Sequence, residues 1–359
     1  MNSITNKWMF FLLIFMLVFG LVACGSENMT QAGNDTVEKS NEKVVIKIAD
    51  TFPTTHLIST MGASPWIERI EELGEGKIEV EYYPAGQLGK VGSMLDNLKN
   101  KVVDISYIQQ DQFEHTFPLS NIGGNLGLVN DAISGSKAYN KLVQEDLYEL
   151  EYKPNGIKPL WTMLTQSNQI INSKHPVKTI EDFKGLKVQA SNAMQEQLMH
   201  DWGATPVLLP GSELYSSWER GILDGTLISF LSWPGYQLDT IAKYTTVNAP
   251  LSRGNVAYFV NEEVWNSWPE EVQDAVWQAS QEIVEQLPGS IVEHQEELIK
   301  QYEKETEIEF YEIPEEELQK WNEKFQSYNN EWAENLDSKG SPGTEILEKF
   351  TKYNEEFSK

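Results

Sequence analysis

The chain has 359 residues and a formal charge of −26, from 54 acidic and 28 basic side chains. Such a field argues against nucleic acid as a partner and against a broad basic membrane-docking face. The single cysteine, Cys24, excludes a disulfide framework within the chain.

Lys7 precedes an apolar run over residues 8–19, and Leu21-Val22-Ala23-Cys24 follows directly. A basic flank, an apolar core and small residues before a cut describe a signal peptide, residues 1–23, rather than a spanning helix. The placement of Cys24 resembles a bacterial lipobox. That resemblance implies a lipidated (palmitate-type) cysteine heading the mature chain, and a protein anchored through lipid on the extracytoplasmic face of the cell membrane. The plainer alternative is an uncleaved anchor with a free thiol. Residues 24–43 hold almost nothing to bury and are expected to form a flexible tether. Losing residues 1–23 removes Lys7 and no acid, taking the charge from −26 to −27.

Residues 44–49, VVIKIA, alternate as a strand and end at Asp50-Thr51-Phe52-Pro53. Residues 60–73 read as a helix with Met61, Ile67, Ile70 and Leu73 on its apolar side, stopped by Gly74 and Gly76. A second strand, 77–83, closes at Pro84-Ala85-Gly86. A helix over 91–100 then precedes a third strand, 102–108, whose end carries Gln109, Gln110 and Asp111. Three β-α units build a first lobe with Asp50, Thr51 and Gln109 at one edge. After a Gly-rich passage and a helix around 136–149, the segment KPLWTMLTQSNQII, 158–171, alternates long enough to be one strand passing between lobes. Its polar side includes Thr162, Gln166 and Asn168; Trp161 and Met163 have the opposite parity.

The stretch 181–233 carries β-α-β-α punctuation. A strand over 186–190 leads to Asn192 as an N-cap, a helical segment to Trp202, and Gly203 ending it in the left-handed region. A second apolar run, 207–209, passes through Pro210-Gly211 to Ser212, another cap; Gly221 closes that helix and Asp224-Gly225 makes a turn. This is the grammar of an open, mainly parallel sheet, whose ligands sit beyond the carboxyl ends of the strands. Gln189, Ser191, Asn192 and Glu213 are the polar groups so placed. Residues 248–260 read as a return strand into the first lobe, with Arg253 near its start. Ser267-Trp268-Pro269-Glu270 outlines a capping box for a helix to Leu287, which Pro288-Gly289 is expected to kink or interrupt before 291–302. A strand at 308–313 and acidic amphipathic helices at 314–336 and 344–357 follow. The expected division is lobe one at 44–165, lobe two at 166–249, a return strand and connecting helix of lobe one at 250–300, and a C-terminal part of lobe two at 301–359.

A chain that crosses between lobes more than once makes a hinge, and a cleft between hinged sheets suits solute capture. Four segments sharpen this: YYPAGQLG (82–89), PVKTIEDFKGLKV (176–188), GATPVLLPGSELYSSWERGILDG (203–225) and NEEVWNSWPEEVQDAV (261–276). On these, in this order, the chain from 44 to 353 resembles the extracytoplasmic solute receptors of tripartite ATP-independent periplasmic (TRAP) transporters. The resemblance implies a two-lobed α/β periplasmic-binding-protein-like fold, a small polar solute, integral-membrane permease subunits as partners, and no catalysis or cofactor. Where the family pattern runs glycine-leucine-lysine-hydrophobic-arginine, and the arginine clamps the carboxylate of most ligands, this chain has Gln189. A second pocket position, often polar or cationic in the family, falls at the neutral Asn168. The family's glutamate-asparagine pair after Asp224-Gly225 is replaced by Thr226, Leu227 and Ile228.

Three readings of Gln189 follow. It caps a strand end and does nothing more; or a carboxylate is still bound, with Arg253 supplying the cation; or the solute is neutral or amine-bearing, held by Gln109, Gln189 and Asn192 against a wall from Trp161 or Trp233. The third ranks ahead of the second because only Arg69, Arg220 and Arg253 are arginines. Trp218 reads as core. Asp50 either selects a cation or hydroxyls or caps the next turn, and Glu213 sits in a first helical turn where the dipole favours an acid regardless of ligand. His56, His115, His175, His200 and His294 show no metal-ligand spacing, and no nucleophile motif is present. A hydrolase using paired carboxylates, or a sensory or structural lipoprotein without a transport role, are the rival classes.

Overall fold

The computed structural model describes residues 43–129, 131–190, 193–209 and 211–359. The expected signal peptide, most of the expected tether, Cys24, Ser191 and Asn192 lie outside the described residues.

Two sheets form. In the first, β1 (Val44–Ala49) lies between parallel neighbours β2 (Ile78–Tyr83) and β3 (Ile105–Tyr107). β4 (Ile157–Leu164) forms an edge, and β10 (Asn255–Asn261) runs antiparallel between β3 and β4. In the second, β6 (Lys187–Ala190) lies between parallel β7 (Thr205–Leu208) and β8 (Gly225–Ile228). β5 (Gln169–Asn172) is antiparallel to β8 and to β9 (Tyr244–Thr246), and β11 (Glu309–Tyr311) finishes beside β9. Each lobe thus winds the same way, the first of its three parallel strands in the middle, so their carboxyl ends gather the loops that follow β1, β3, β6 and β8. Gly203 (φ 81°) and Gly221 (φ 73°) stand in the left-handed region where the two helices of the second lobe end.

The segment 158–171 is two strands rather than one. Between β4 and β5 the chain leaves both sheets: Thr165 N–H donates to the Gly254 carbonyl (2.8 Å) and Asn168 N–H to the Ser252 carbonyl (2.9 Å). The outgoing and returning crossovers therefore lie side by side. The third connection is the helix Glu270–Glu305, which contributes Val276, Ile283 and Leu287 to the first lobe's core and Leu298 and Tyr302 to the second's. Pro288 is buried inside this helix without ending it, because the residues on both sides of it are held by packed cores. Nor does Ser267 cap it: Pro269 is the N-cap residue, and Ser267 Oγ donates back to the Val264 carbonyl (2.7 Å).

The expected assignment of 301–359 to the second lobe is corrected. β11 joins the second sheet, and Trp321 and Phe325 of the helix Glu315–Ser338 enter that lobe's core. Leu336, and Ile346 and Phe350 of the last helix, Gly343–Phe357, instead enter the first lobe's core beside Tyr139 and Leu142. An amphipathic helix goes where its apolar stripe is covered, and here the stripe changes lobe along the chain.

Both tryptophans proposed as a ligand wall are core. Trp161 is fully buried, stacked on Tyr258 (ring centroids 4.6 Å) and edge-on to Trp66 (5.7 Å), on the face that the long helix covers. Trp233 is fully buried against Phe230 (4.7 Å) and Tyr302 (5.4 Å). Large indoles bury more apolar area in these layers than a solute-facing edge offers.

Candidate functional site: the cleft between the lobes

A cleft of about 730 Å³ opens between the strand ends of the two sheets, within the size range of small-molecule sites. The loop after β1 supplies Phe52 and His56, and β3 with its following turn supplies Tyr107, Gln109 and Asp111. The second lobe supplies Gln189 from β6, Ser229 after β8, and Tyr236 from the short helix Trp233–Tyr236. The crossovers supply Thr165, Asn168 and Arg253.

Of the residues singled out from sequence, Gln109, Asn168, Gln189 and Arg253 line this space. Gln189 is buried, and both ends of its amide are used within its own lobe: Nε2 donates to the Leu209 carbonyl (3.1 Å) and Oε1 accepts from Thr226 Oγ1 (2.6 Å). Gln109 Nε2 donates to Asp111 Oδ2 (3.3 Å). Asn168 Nδ2 and Gln195 Nε2 both donate to the fully buried Ser252 Oγ (3.2 and 2.9 Å), pinning the crossover to the first helix after β6.

Asp50 is not a cleft residue. It is fully buried beneath the loop, where its carboxylate accepts from Tyr82 OH (2.6 Å), Tyr258 OH (2.8 Å) and Phe52 N–H (3.0 Å). The pattern that suggested a solute contact is instead a clamp holding β1, β2, β10 and the start of the loop together. Glu213 is exposed just before the helix Leu214–Glu219 and outside the cleft lining, as its preference for a first helical turn allows.

The aromatic surface of the cleft comes from residues the sequence reading passed over. Phe52 stacks on His56 (ring centroids 4.8 Å) and leans on Tyr107 (4.5 Å), making a shelf on the first lobe; Tyr236 stands on the second. The signal available was the TFPTTH run directly after β1, an aromatic and a histidine in a strand-end turn. Asn125 also lines the cleft, with a buried Nδ2 that has no partner among the described residues.

Burial sets the charges here. Arg253 is nearly buried, its Nη1 donating to the Thr165 carbonyl and its Nη2 to the Val129 carbonyl (both 3.0 Å). Burial pulls its pKa down to about 10, with the charge of Asp131 opposing. Burial pushes Asp111 up to about 6, against its bond from Gln109. Burial alone lowers His56 to about 4.

Because His56 stays neutral in the fold well below its ordinary 6.5, the unfolded chain binds the extra proton between those values, and stability falls as pH drops through that window. The cost approaches roughly 3 kcal/mol near pH 4. Urea unfolding at pH 7 and pH 4.5 should therefore show the gap between wild type and His56→Gln narrowing at acid pH. A gap that is constant or widens contradicts this.

The sequence profile of the bacterial extracellular solute-binding proteins, family 7 (DctP), matches residues 29–335. The C4-dicarboxylate-binding periplasmic protein DctP of Rhodobacter capsulatus is 26% identical over 310 residues, covering 82% of this chain and 88% of that one. The C4-dicarboxylate-binding protein DctB of Bacillus subtilis is 22% identical over 304 residues, covering 80% and 84%. A TRAP solute binding protein from a marine metagenome, specific for aromatic acids and solved with 3-hydroxybenzoate, superposes with a TM-score of 0.82 at 18% identity, covering 89% of this chain and all of that one. Among the described residues no helix is long and apolar enough to cross a membrane. With its fold shared across that length and the family profile spanning most of its sequence, this chain belongs to family 7 of the bacterial extracellular solute-binding proteins, the TRAP solute receptors, and is a receptor rather than an enzyme.

Proposed function

We propose that this receptor captures a small organic acid by closing its lobes around it and delivers it to the integral-membrane permease subunits of a TRAP transporter. Residues 1–23 are removed, and lipid on Cys24 with the tether 24–43 holds the receptor outside the cell. The observation that carries the ligand class is Arg253: a guanidinium in the cleft wall, fixed in place by its bonds to the Thr165 and Val129 carbonyls. A guanidinium is the side chain best shaped to receive a carboxylate in that space, with charge and planar N–H donors together. This reverses the order suggested by the sequence, where the scarcity of arginine ranked a neutral or amine-bearing solute first. Relatives named for C4-dicarboxylates, and neighbours solved with 3-hydroxybenzoate or benzoate, support the same class.

A second reading, a neutral or amine-bearing solute, is favoured by Gln189 in the family's arginine position and by the half-buried Asp111 in the lining. A thermal-shift panel of organic acids, sugars, polyols and amines separates the two. A ligand at 100 times its Kd stabilises by about 2.7 kcal/mol, enough to read in the melt. Organic acids are expected to give the largest shifts; hits confined to neutral compounds or amines overturn the first reading in favour of the second. Gln189→Arg gives a further check. It should tighten carboxylate binding by about tenfold or more while freeing Thr226 Oγ1 and lowering stability by roughly 1 kcal/mol. Unchanged or weaker acid binding would place the carboxylate elsewhere.

A further inference from the structure

His56 has a feature that solute capture alone does not require. Its Nδ1 accepts the main-chain N–H of Ile58 (3.1 Å). A ring nitrogen that accepts carries no hydrogen, so the imidazole is the neutral tautomer protonated on Nε2, and the imidazolium is incompatible with the bond. One face of the ring is held by Phe52 at 4.8 Å between centroids. The Cδ2 edge, which adjoins Nε2, is turned to the other lobe: a Cβ built on Gly235 would lie 3.6 Å from Cδ2. The side chain is 6% exposed, lines the cleft, and its Nε2–H meets no acceptor among the described residues.

We infer that His56 is a solute-recognition residue whose Nε2–H, a neutral donor of fixed tautomer, hydrogen-bonds an acceptor oxygen of the bound solute. The inference rests on the cleft being the capture site and deepens it by naming what the solute presents to the first lobe. That group is a carboxylate, carbonyl or hydroxyl oxygen, and an ammonium is excluded there because Nε2–H has no lone pair to offer. Gly235 brings no side chain to this ring edge, so no polar group of that residue competes with the solute for the donor. Specificity then comes from a rigid uncharged donor on one lobe and the Arg253 charge on the crossover.

The test is nitrogen-15 NMR on full-length mature protein labelled at histidine, with the His56 signals assigned by their loss in His56→Gln. In the free protein Nδ1 should be unprotonated and Nε2 protonated at pH 7. Addition of benzoate, 3-hydroxybenzoate or mandelate at millimolar concentration should move the Nε2–H signal and slow its exchange with water. His56→Phe, which keeps a ring but no donor, should weaken binding of the same probe about tenfold, and His56→Gln should recover part of that. The opposite tautomer, an imidazolium at pH 7, a ring that responds to none of the probes, or His56→Phe binding as tightly as wild type each overturns the assignment. If His56→Phe fails to fold, the wild-type spectra decide alone. Failure of the capture reading is seen separately, as a thermal-shift panel in which no compound stabilises the wild-type chain.

Discussion

Arg253→Gln is expected to reduce affinity for the organic acid that gives the strongest thermal shift by two to three orders of magnitude. Two unit charges 4 Å apart at an effective dielectric constant of about 20 attract by about 4 kcal/mol, and each 1.4 kcal/mol is about tenfold in Kd. Gln keeps a donor but no charge, so the loss reports the electrostatic part. Arg253→Lys should recover only some of it. An ammonium is a point charge and cannot hold the Thr165 and Val129 carbonyls with two separate nitrogens, as the guanidinium does. Folding should suffer modestly in both variants, by roughly 1–2 kcal/mol, because those two carbonyls lose their donors. Calorimetric titration of the three proteins with one acid settles it. A Kd for Arg253→Gln within threefold of wild type removes Arg253 from recognition and returns the neutral-solute reading to first place.

The strand-and-helix order was legible because it rests on local signals. Alternation marks β1 and β2, and glycines at positions such as 203 and 221 end helices where only a left-handed residue fits. What the sequence hid was long-range. Nothing local separates β4 from β5; the break at 165–168 exists because that stretch bonds to residues 252–254, some ninety positions away. Pro288 reads as a helix breaker until the cores on both sides of it are known. The site divides along the same line. Gln109, Gln189 and Arg253 were findable as polar residues at strand ends and crossovers. Trp161, inside β4, and Trp233, opening the short helix after β8, differ from the expectation because no sequence mark distinguishes an indole in the cleft wall from one in the core. Phe52 and His56 were missed because their role depends on a stack formed only when β1 and β3 lie side by side.

Asp50→Ala is expected to be among the most damaging single changes away from the cleft, costing about 4 kcal/mol, because three donors lose one acceptor and each buried, unmet donor costs about 1–3 kcal/mol. Tyr258 is fully buried and the Phe52 N–H lies at the loop's root, so neither regains a partner easily; Tyr82 is half-buried and recovers most. Asp50→Asn keeps an acceptor oxygen and should cost less than half as much. Burial raises the Asp50 pKa above its ordinary 3.8, more than the bonds from Tyr82, Tyr258 and Phe52 lower it. A carboxyl with a raised folded-state pKa contributes most below its unfolded value and loses that contribution as pH rises through the folded one. The gap between wild type and Asp50→Ala, measured by urea unfolding, should therefore be wider at pH 4 than at pH 7. Function should follow the loop: with Phe52 no longer anchored, the shelf against Tyr107 and His56 loosens, and solute affinity falls even though residue 50 never touches the solute. A loss under 1 kcal/mol would mean that the shelf is held by ring packing alone, and a gap that widens toward neutral pH would mean that the three hydrogen bonds outweigh burial and hold the folded-state pKa below its ordinary value.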